Sequence, residues 1–254
     1  MLTLTPLLGI PLIKPGDNLA DLIFDSLEKN CIILLDGDIL VLAQKIVSKS
    51  EGRLVNLATI SPSDPASQLA DEIQKDPRLV ELILRESASV IRTRPGTIVV
   101  EHRLGFVCAN AGIDHSNVAG EASNDEEWVL LLPEDPDLSA ANLRAEIERR
   151  LHVSMGVMII DSHGRAWRIG TVGIAIGLAG LPGLVDLRGV SDLFGYTLRI
   201  TQVAAADELA AAASLVMGQA ADATPVVHVR GFPYPLRDGS LRELLRPTDL
   251  DMFR

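Results

Sequence analysis

Apolar residues recur at helical spacing in three segments of the first hundred residues. Residues 18–30 place leucine and isoleucine side chains on one face, and Asp17 or Asn18 can cap the helix that this pattern predicts. Residues 61–76 and 77–88 predict two more helices, which separate at an Asp-Pro pair. Each of these helices is expected to bury one apolar face.

Two further helices are predicted in the second half of the chain. Residues 137–152 have the spacing of an amphipathic helix, and Ser139 can cap it. An alanine-rich helix is predicted from about Ala206 to Met217. Gly218 follows directly and is typical of the residue that ends a helix, so its position is explained without a function.

Apolar runs without helical spacing predict the strands. We predict strands in residues 4–13, 37–48, 128–133, 157–160 and 224–232, and two more within 90–112. Helices and strands are mixed without a strict βαβ alternation. The pattern therefore predicts an α+β fold with mixed, largely antiparallel sheets and flanking helices, as one intertwined or two-lobed unit.

The composition is that of a globular chain with an excess of acidic groups. Hydrophobic residues make up 47% but aromatics only 4%, so the core must be mainly aliphatic. Lys and Arg number 23 against 34 Asp and Glu, a net charge of −11. This charge argues against nucleic-acid binding, since phosphate contacts supply most of that affinity. Phosphate-bearing small molecules stay open, because a metal ion can bridge carboxylates to phosphates.

The N-terminal region and the cysteines predict a soluble, cytoplasmic protein without a membrane partner. The first residues lack a basic segment typical of a signal peptide. The longest apolar stretch, residues 171–185, is too short and too glycine-rich for a membrane span. Cys31 and Cys108 lie in apolar runs and are predicted to be buried free thiols, and their spacing suggests neither zinc nor a disulfide framework.

Residues 119–127 are polar and acidic and predict an exposed loop. The glycines of residues 173–183 lack the flanking residues of a phosphate-binding loop, so close backbone packing is the interpretation.

The sequence also contains no GxxxxGK[ST], no GxGxxG after a strand and no GxSxG. Any nucleotide must therefore be held in a non-standard way, and covalent catalysis is unsupported.

Apolar runs break abruptly into polar residues at four places, in residues 9–18, 43–53, 105–118 and 159–168. Asp161 directly follows Val157–Ile160 and would lie at the end of a buried strand, where open sheets often bind ligands. The hydroxyl of Ser162 can add an oxygen ligand for a hard cation such as magnesium. The alternative, about as strong, is that Asp161 begins an Asx-turn.

Asp114 and Asn117 lie in a segment rich in turn-forming residues. A turn between strands explains both without a function, whereas a functional interpretation makes Asp114 a metal ligand. His115 and His163 neighbour the two aspartates, but carboxylate and hydroxyl neighbours suit magnesium or manganese better than zinc. Both histidines are therefore predicted to be exposed loop residues.

Lys45 and Lys49 would face the same side of an extended segment, because strand side chains alternate. This spacing favours either an anion-binding pair or a solvated strand face, and the sequence does not choose between them.

Five stretches in order resemble the coenzyme F-420-0:L-glutamate ligase (γ-glutamyl ligase) family. They are GIPLIKPGD, DGDILVLAQKIVSKSEGR, NAGIDHSN, DSHGRAWRIGTVGIAIG and ADELAAAASLVMGQ, and the resemblance runs from about Gly9 to Gly231. It implies a family-specific fold and a ligase that joins L-glutamate to the carboxylate of the phospholactyl tail of a deazaflavin, then adds γ-linked glutamate. It also implies GTP as co-substrate, two magnesium or manganese ions and a homodimer.

The resemblance implies site residues in the polar segments. It implies a catalytic role for Lys49 and, through metal, for Asp114 and Asp161. The implied metal ligands are Asp114, Asp161, Ser162 and Gln219. The implied nucleotide contacts are Ile10, Pro11, Leu12, Ile13, Gln44, Lys45, Lys49, Asn117, Met217, Gly218, Gln219, Ala220, Ala221, Asp222, Ala223 and Thr224.

The chain departs from some relatives at three places. Ser162 stands where some have threonine, which keeps the hydroxyl, and Gln219 stands where some have glutamate, which removes a charge. Gln44 and Lys45 stand where some have small hydroxyl residues.

Three functional hypotheses stay open. The first is the GTP-dependent ligase. The second is another metal-dependent amide ligase or a nucleotide hydrolase that acts on a different acceptor. The third is a non-catalytic deazaflavin-binding or nucleotide-binding protein. Some relatives carry a C-terminal nitroreductase-like domain, which we do not expect here, so residues 1–254 are predicted to form a single ligase domain.

Overall fold

In a computed structural model, which describes residues 1–118 and 127–252, the chain folds into α-helices around a five-stranded sheet. Five of the α-helices confirm the predictions from apolar spacing, and α2 was not predicted. The helices of the described part are α1 (Leu19–Lys29), α2 (Gln44–Ser50), α3 (Asp64–Ile73), α4 (Pro77–Arg85), α5 (Pro136–Leu151) and α6 (Ala205–Met217).

The strands form one large mixed sheet and three small antiparallel ones. They are β1 (Thr3–Pro6), β2 (Ile39–Ala43), β3 (Leu54–Asn56), β4 (Ser87–Arg94), β5 (Thr97–His102), β6 (Val107–Ala109), β7 (Trp128–Leu130), β8 (Gly156–Gly164), β9 (Thr171–Ala179), β10 (Val185–Asp186), β11 (Gln202–Val203) and β12 (Val226–Arg230). The large sheet has the order β1-β12-β2-β8-β9, with β2 and β8 parallel and the other pairs antiparallel. The predicted α+β class is confirmed.

Side-chain oxygens cap α1, α3, α4 and α5 at their N-termini, whereas α2 and α6 begin without a side-chain cap. Asn18 accepts hydrogen bonds from the backbone nitrogens of Ala20 at 2.9 Å and of Asp21, which confirms one of the two predicted caps of α1. The predicted cap of α5 is wrong. That helix begins one turn before Ser139, and Asp135 caps it.

Alternate residues of β8 face opposite sides of the large sheet. Val157 packs into the larger apolar cluster, together with residues of α1, α3, α4 and α5, whereas Met158 packs into a second cluster with α6. Both side chains are fully buried, and each such burial stabilises the fold by about 1.5–3 kcal/mol. Because side chains alternate with a period of two, Asp161 faces the first cluster and Ser162 faces α6.

Two glycines of β9 let α5 and α6 pack closely on either side of it. A Cβ atom at Gly177 would lie 2.4 Å from the Cβ of Pro136, and one at Gly173 would lie 2.6 Å from the carbonyl oxygen of Ala210. Neither contact is tolerated by a real side chain. The close-packing interpretation of these glycines is confirmed.

The strand predicted for residues 37–48 ends at Ala43, and the following residues form α2. Ile46 and Val47 are β-branched, which is typical of a strand. The apolar run is too short for its periodicity to distinguish a strand from a helix. Lys45 and Lys49 nevertheless share a face, because residues four apart are neighbours on a helix. The predicted geometry is therefore wrong, although both lysines do lie on one side.

Two other strand predictions need correction. Three strands, β4 to β6, cover the region in which two were predicted. β8 continues through Asp161 to Gly164, so this aspartate lies within a strand rather than at its end. Asp161 nevertheless lies directly after Ile160, the last residue of β8 that pairs with β2.

Cys31 is exposed, so the prediction that it is buried is wrong, whereas Cys108 is buried as predicted, and both thiols are free. Cys31 follows α1 with a φ of 55°, and this turn carries its side chain to the surface although the residues that follow it in sequence are apolar.

The two cysteines should differ sharply in reactivity with a thiol reagent. Burial, and secondly the negative charge of Asp161, raises the pKa of Cys108 to about 12, so almost no thiolate is present at neutral pH. We expect Ellman's reagent to titrate one thiol rapidly in the native protein and two after denaturation. Rapid reaction of both thiols in the native protein would contradict the described burial of Cys108.

Residues 119–126, most of the predicted acidic loop, lie outside the described residues. Within residues 1–118 and 127–252, no helix combines the length and the apolar character needed to cross a membrane.

Candidate active site at the sheet edge

The polar segments identified in the sequence meet at one edge of the large sheet. β1, β2 and β8 run in the same direction, so their C-terminal ends lie at this edge, and β12 runs oppositely, so it begins there. The backbone nitrogen of Leu7 donates to the carbonyl oxygen of Val226 at 2.8 Å, and that of Ala43 to Pro225 at 2.8 Å. Ligands of open sheets bind at such an edge.

The segment from Ile10 to Ile13 leaves β1 at this edge. Ile13 is buried, whereas the side chain of Leu12 is 71% exposed. Shortly afterwards, the backbone nitrogen of Gly16 donates to the carbonyl oxygen of Ser50 at 2.8 Å, at the end of α2. The backbone therefore brings this predicted nucleotide-binding segment from the end of β1 to the end of the helix that carries Lys45 and Lys49.

A turn with three left-handed residues precedes Asp114. Asn110, Ala111 and Gly112 have φ values of 51°, 53° and 65°. The backbone of Asp114 then exchanges two hydrogen bonds with Leu130, of 3.0 and 2.9 Å. Left-handed non-glycine residues cost free energy and cluster at functional sites, where the surrounding structure imposes them.

The carboxylate of Asp114 accepts contacts from two side chains of α2. Lys45 Nζ lies 2.5 Å from Asp114 Oδ2, and Gln44 Nε2 donates to the same oxygen at 2.6 Å. Ser48 Oγ donates to Gln44 Oε1 at 2.8 Å and so orients the amide. Burial raises the pKa of Asp114 although Lys45 opposes this, and the negative charge of Asp161 raises it further. The two aspartates are therefore close enough to repel each other.

Asp161 is held by His163 on the same face of β8. His163 Nε2 lies 2.9 Å from Asp161 Oδ2, and the buried imidazole packs against Phe106 with ring centroids 5.2 Å apart. Burial opposes ionisation of Asp161, but the hydrogen bond and charge of His163, the backbone of Ser162 and the charge of Lys45 together outweigh it and lower the pKa.

The prediction that His163 is an exposed loop residue is wrong, whereas His115 is exposed as predicted. Sequence reasoning therefore missed His163 as part of the site. The signal that could have found it is strand alternation, since residues two apart in a strand share a face.

Ser162 and Gln219 form a separate pair on the α6 face of the sheet. Ser162 Oγ donates to Gln219 Oε1 at 2.9 Å, and Gln219 Nε2 donates to Ser214 Oγ at 2.9 Å. The four predicted metal ligands thus fall into two pairs on opposite faces of β8, with Asp114 and Asp161 forming the other. Two separate ions fit this arrangement better than one shared ion.

Lys49 and Asn117 connect α2 to the segment that follows α6. Lys49 Nζ donates to the carbonyl oxygen of Asn117 at 2.7 Å, and Asn117 Nδ2 donates to the carbonyl oxygen of Ala220 at 3.0 Å. Burial, and secondly the charge of Lys45, lowers the pKa of Lys49. These contacts bring together three of the four predicted nucleotide-binding segments.

The segment from Met217 to Thr224 is closed by its own hydrogen bonds. Thr224 Oγ1 donates to the carbonyl oxygen of Met217 at 2.8 Å, and the backbone nitrogen of Ala220 donates to Asp222 Oδ2 at 3.2 Å. Gly218 follows α6 with a φ of 73°, which confirms that it ends the helix.

The donor atoms at this edge fit hard divalent cations. Two carboxylates, a hydroxyl and an amide supply oxygen only, which suits magnesium or manganese. Within the described ranges, no group of three or more His, Cys, Asp and Glu residues suited to a metal is found. An ion here would therefore complete its shell with water or phosphate oxygens, as magnesium commonly does in nucleotide sites.

The residues of this sheet edge lie in a part of the chain that matches a known family. The sequence matches the model of the F420-0:gamma-glutamyl ligase family over residues 8–231, a span that contains every candidate residue named above. The chain belongs to this family of ligases. Membership places Asp114, Asp161 and α2 within the part of the chain that the family shares, and it makes an enzyme the expectation rather than a non-catalytic binding protein.

Individual relatives resemble the chain over almost its whole length. A coenzyme F420:L-glutamate ligase of Methanothermobacter thermautotrophicus is 49% identical over 97% of this chain and 96% of its own. A ligase of the same name from Methanopyrus kandleri is 47% identical over 95% of this chain and 93% of its own. A third, from Methanocaldococcus jannaschii, is 42% identical over 97% and 95%. The resemblance inferred from five motifs is confirmed.

Proposed function

We propose that the protein is a GTP-dependent ligase that adds L-glutamate to the phospholactyl carboxylate of coenzyme F-420-0, and then adds γ-linked glutamate. The observation that carries this proposal is the ion pair of Lys45 with Asp114, 2.5 Å, at the sheet edge that also carries Asp161, in a chain that belongs to the F420-0:gamma-glutamyl ligase family. The names of its relatives assign them glutamate and coenzyme F420.

The proposal includes a cytoplasmic homodimer with small-molecule substrates. The net charge of −11 argues against a nucleic-acid partner.

The proposed reaction has two steps, because a carboxylate must be activated before an amine can displace one of its oxygens. First, a carboxylate oxygen of the acceptor attacks the γ-phosphorus of GTP. The bond from that phosphorus to the oxygen of the β-phosphate breaks, GDP leaves, and an acyl phosphate forms. The glutamate nitrogen then attacks the acyl carbon, the carbon–oxygen bond to phosphate breaks, and the nitrogen releases a proton.

The residues of the sheet edge suit the first step by position and charge. Phosphoryl transfer needs alignment and charge neutralisation more than a protein nucleophile, which agrees with the lack of a nucleophile motif. Lys45 and Lys49 extend from one face of α2 and are proposed to hold phosphate oxygens. Asp114 and Asp161 would hold one divalent cation, and Ser162 and Gln219 a second. Bound magnesium or manganese would neutralise charge on the transferring phosphoryl group.

The test combines the purified protein with GTP, manganese, L-glutamate and coenzyme F-420-0. We expect mass spectrometry to find the acceptor extended by one or more glutamate residues, with one GDP formed for each new amide bond. Absence of both glutamylated product and GDP would contradict the proposal. GTP hydrolysis without the deazaflavin, or glutamylation of another acid, would favour the second hypothesis. Binding that survives Asp161→Asn, with no turnover in either protein, would favour the third.

Lys49→Met is expected to raise KM for GTP by about ten- to a hundredfold and to leave KM for L-glutamate unchanged. The reason is the loss of one charged hydrogen bond to phosphate, which is worth about 1.5–3 kcal/mol. Steady-state kinetics with each substrate varied in turn will measure it.

Lys75→Met is the matched control for this prediction. Lys75 also donates Nζ to a backbone carbonyl, that of Gly96 at 3.0 Å, and burial also lowers its pKa. It lies at the end of α3 and makes no contact with the sheet-edge site. If both variants raise KM for GTP equally, Lys49 has no specific contact with the nucleotide.

A further inference from the structure

The hairpin of β8 and β9 continues past the edge of the large sheet. Ala43, the last residue of β2, pairs with Ile160, and beyond this point β8 pairs with β9 alone as far as Gly164. Residues 165–170 connect the two strands. A strand rises about 3.3 Å per residue, so this tip begins about 13 Å beyond Asp161, on the side away from the sheet.

Trp167 at the hairpin tip is 89% exposed, and Ile169 is wholly exposed. Tryptophan is highly buried on average, so exposure to this degree needs an explanation. Trp167 also has a φ of 62°, a left-handed conformation that is costly for a bulky side chain. The backbone thus holds an indole in solvent on the hairpin that extends beyond the candidate active site.

Arg165 and Arg168 flank Trp167 and are exposed as well. Neither forms an ion pair with any residue in 1–118 or 127–252. Elsewhere on the chain, arginines such as Arg53 and Arg230 pair with buried acids. On a chain with a net charge of −11, the tip therefore offers two cations and an aromatic ring together. This combination suits a planar aromatic ligand that carries a phosphate.

We propose that the hairpin tip binds the acceptor of the ligase reaction. Trp167 stacks on the deazaflavin ring, and Arg165 and Arg168 bind the phosphate between ring and carboxylate. The order of groups along the acceptor agrees with their proposed positions along the hairpin. The carboxylate must reach the phosphoryl group near Asp161, and the phosphate and the ring lie progressively farther from the carboxylate. This inference rests on the proposed function and assigns the acceptor site that the proposed function leaves open.

Two variants test the tip, and one matched control accompanies them. Trp167→Ala removes the stacking surface, and the double variant R165Q/R168Q removes both cations. Arg149→Gln is the control, because Arg149 is an exposed arginine on α5 that forms no ion pair within the described ranges. All four side chains are on the surface, so the variants are expected to fold, which thermal unfolding will check.

The expected result is a selective loss of affinity for the acceptor. We expect either tip variant to raise KM for coenzyme F-420-0 about tenfold, while KM for GTP and L-glutamate stays unchanged and Arg149→Gln behaves like the native protein. Titration of coenzyme F-420-0 fluorescence, without GTP or metal, is expected to show the same loss directly. Light scattering of native protein and Trp167→Ala will report any change of oligomeric state.

The outcomes separate this inference from the proposed function. If the native protein glutamylates the acceptor and both tip variants keep its KM, the inference is overturned and the proposed function stands. If Trp167→Ala instead turns a native dimer into a monomer, a second copy covers the tip and the inference is also overturned. If the native protein binds the acceptor through Trp167 but makes no product, the inference stands and the proposed function falls. If it neither binds nor glutamylates the acceptor, both fall.

Discussion

Asp161→Asn is expected to lower kcat/KM for glutamylation by about a thousandfold while the protein stays folded. The change removes one negative charge from the Asp114–Asp161 pair, yet asparagine keeps the size of the side chain and can still accept a hydrogen bond from His163. A charge clamp on a transferring phosphoryl group is worth several kcal/mol, and each 1.36 kcal/mol is a tenfold change in rate. The measurement is the initial rate of glutamylated product and of GDP.

Asp137→Asn is the matched control for the loss of activity. Asp137 is also a partly buried aspartate that accepts backbone hydrogen bonds, from Leu178 at 2.8 Å and from Leu241 at 3.0 Å. It lies in the first turn of α5, away from the sheet edge, and its variant should keep near-native kcat/KM. Native activity in Asp161→Asn would exclude this carboxylate from the reaction. Equal loss in both variants would indicate a general effect of removing a buried charge.

Asp38→Ala is expected to lower the free energy of unfolding by about 3 kcal/mol, the largest stability effect that we predict. Asp38 is 1% exposed and joins β12 to the start of β2. It accepts hydrogen bonds from Arg230 Nη2 at 2.7 Å and from the backbone of Leu35 at 2.9 Å, and His228 Nε2 lies 2.8 Å away. Breaking such a buried pair leaves its partners without compensation. Denaturant unfolding followed by circular dichroism will measure the loss.

Asp36→Ala is the control for this variant, because Asp36 lies two residues away and is exposed. It accepts one hydrogen bond, from the backbone of Ser154 at 2.8 Å. We expect the control to lose at most about 1 kcal/mol. A loss of that size in Asp38→Ala as well would contradict the structural role assigned to the cluster.

The pH dependence of the Asp38 effect has a definite sign. Burial opposes ionisation of Asp38, but hydrogen bonds from Arg230 and His228 outweigh it and lower the pKa below the ordinary 3.8. A lowered pKa in the folded state contributes stability above the unfolded value and loses it as pH falls through the folded value. The difference in stability between native protein and Asp38→Ala should therefore persist at neutral pH and shrink below pH 3.8.

Much of the fold could be predicted from apolar spacing, because long periodic segments leave little choice. The segments 61–76, 77–88 and 137–152 all became helices, and the strand within 224–232 appeared where predicted. Short segments failed for a physical reason. Residues 44–50 contain a β-branched pair that locally favours a strand. They form a helix instead, because of their packing at the end of β2.

The candidate site could be predicted only in part from local patterns. Local patterns identify Asp161 and Asp114 as possible metal ligands, but a turn is the alternative explanation for each. Only the family resemblance implies that the two residues act together. Local reasoning could not show that Ser162 and Asp161 lie on opposite faces, since β8 was expected to end before both. It also placed His163 in a loop for the same reason. Contacts between distant segments, such as that of Lys49 with Asn117, have no local signal.

The central claim is that this sheet edge binds the nucleotide and the metal together. Crystals of the protein soaked with GDP and manganese test it most directly, because the anomalous signal of manganese locates each ion. We predict one ion ligated by both Asp114 and Asp161, a second near Ser162 and Gln219, and the phosphates of GDP beside Lys49. Ions bound away from these residues, or Asp114 and Asp161 too far apart to share one, would contradict the claim.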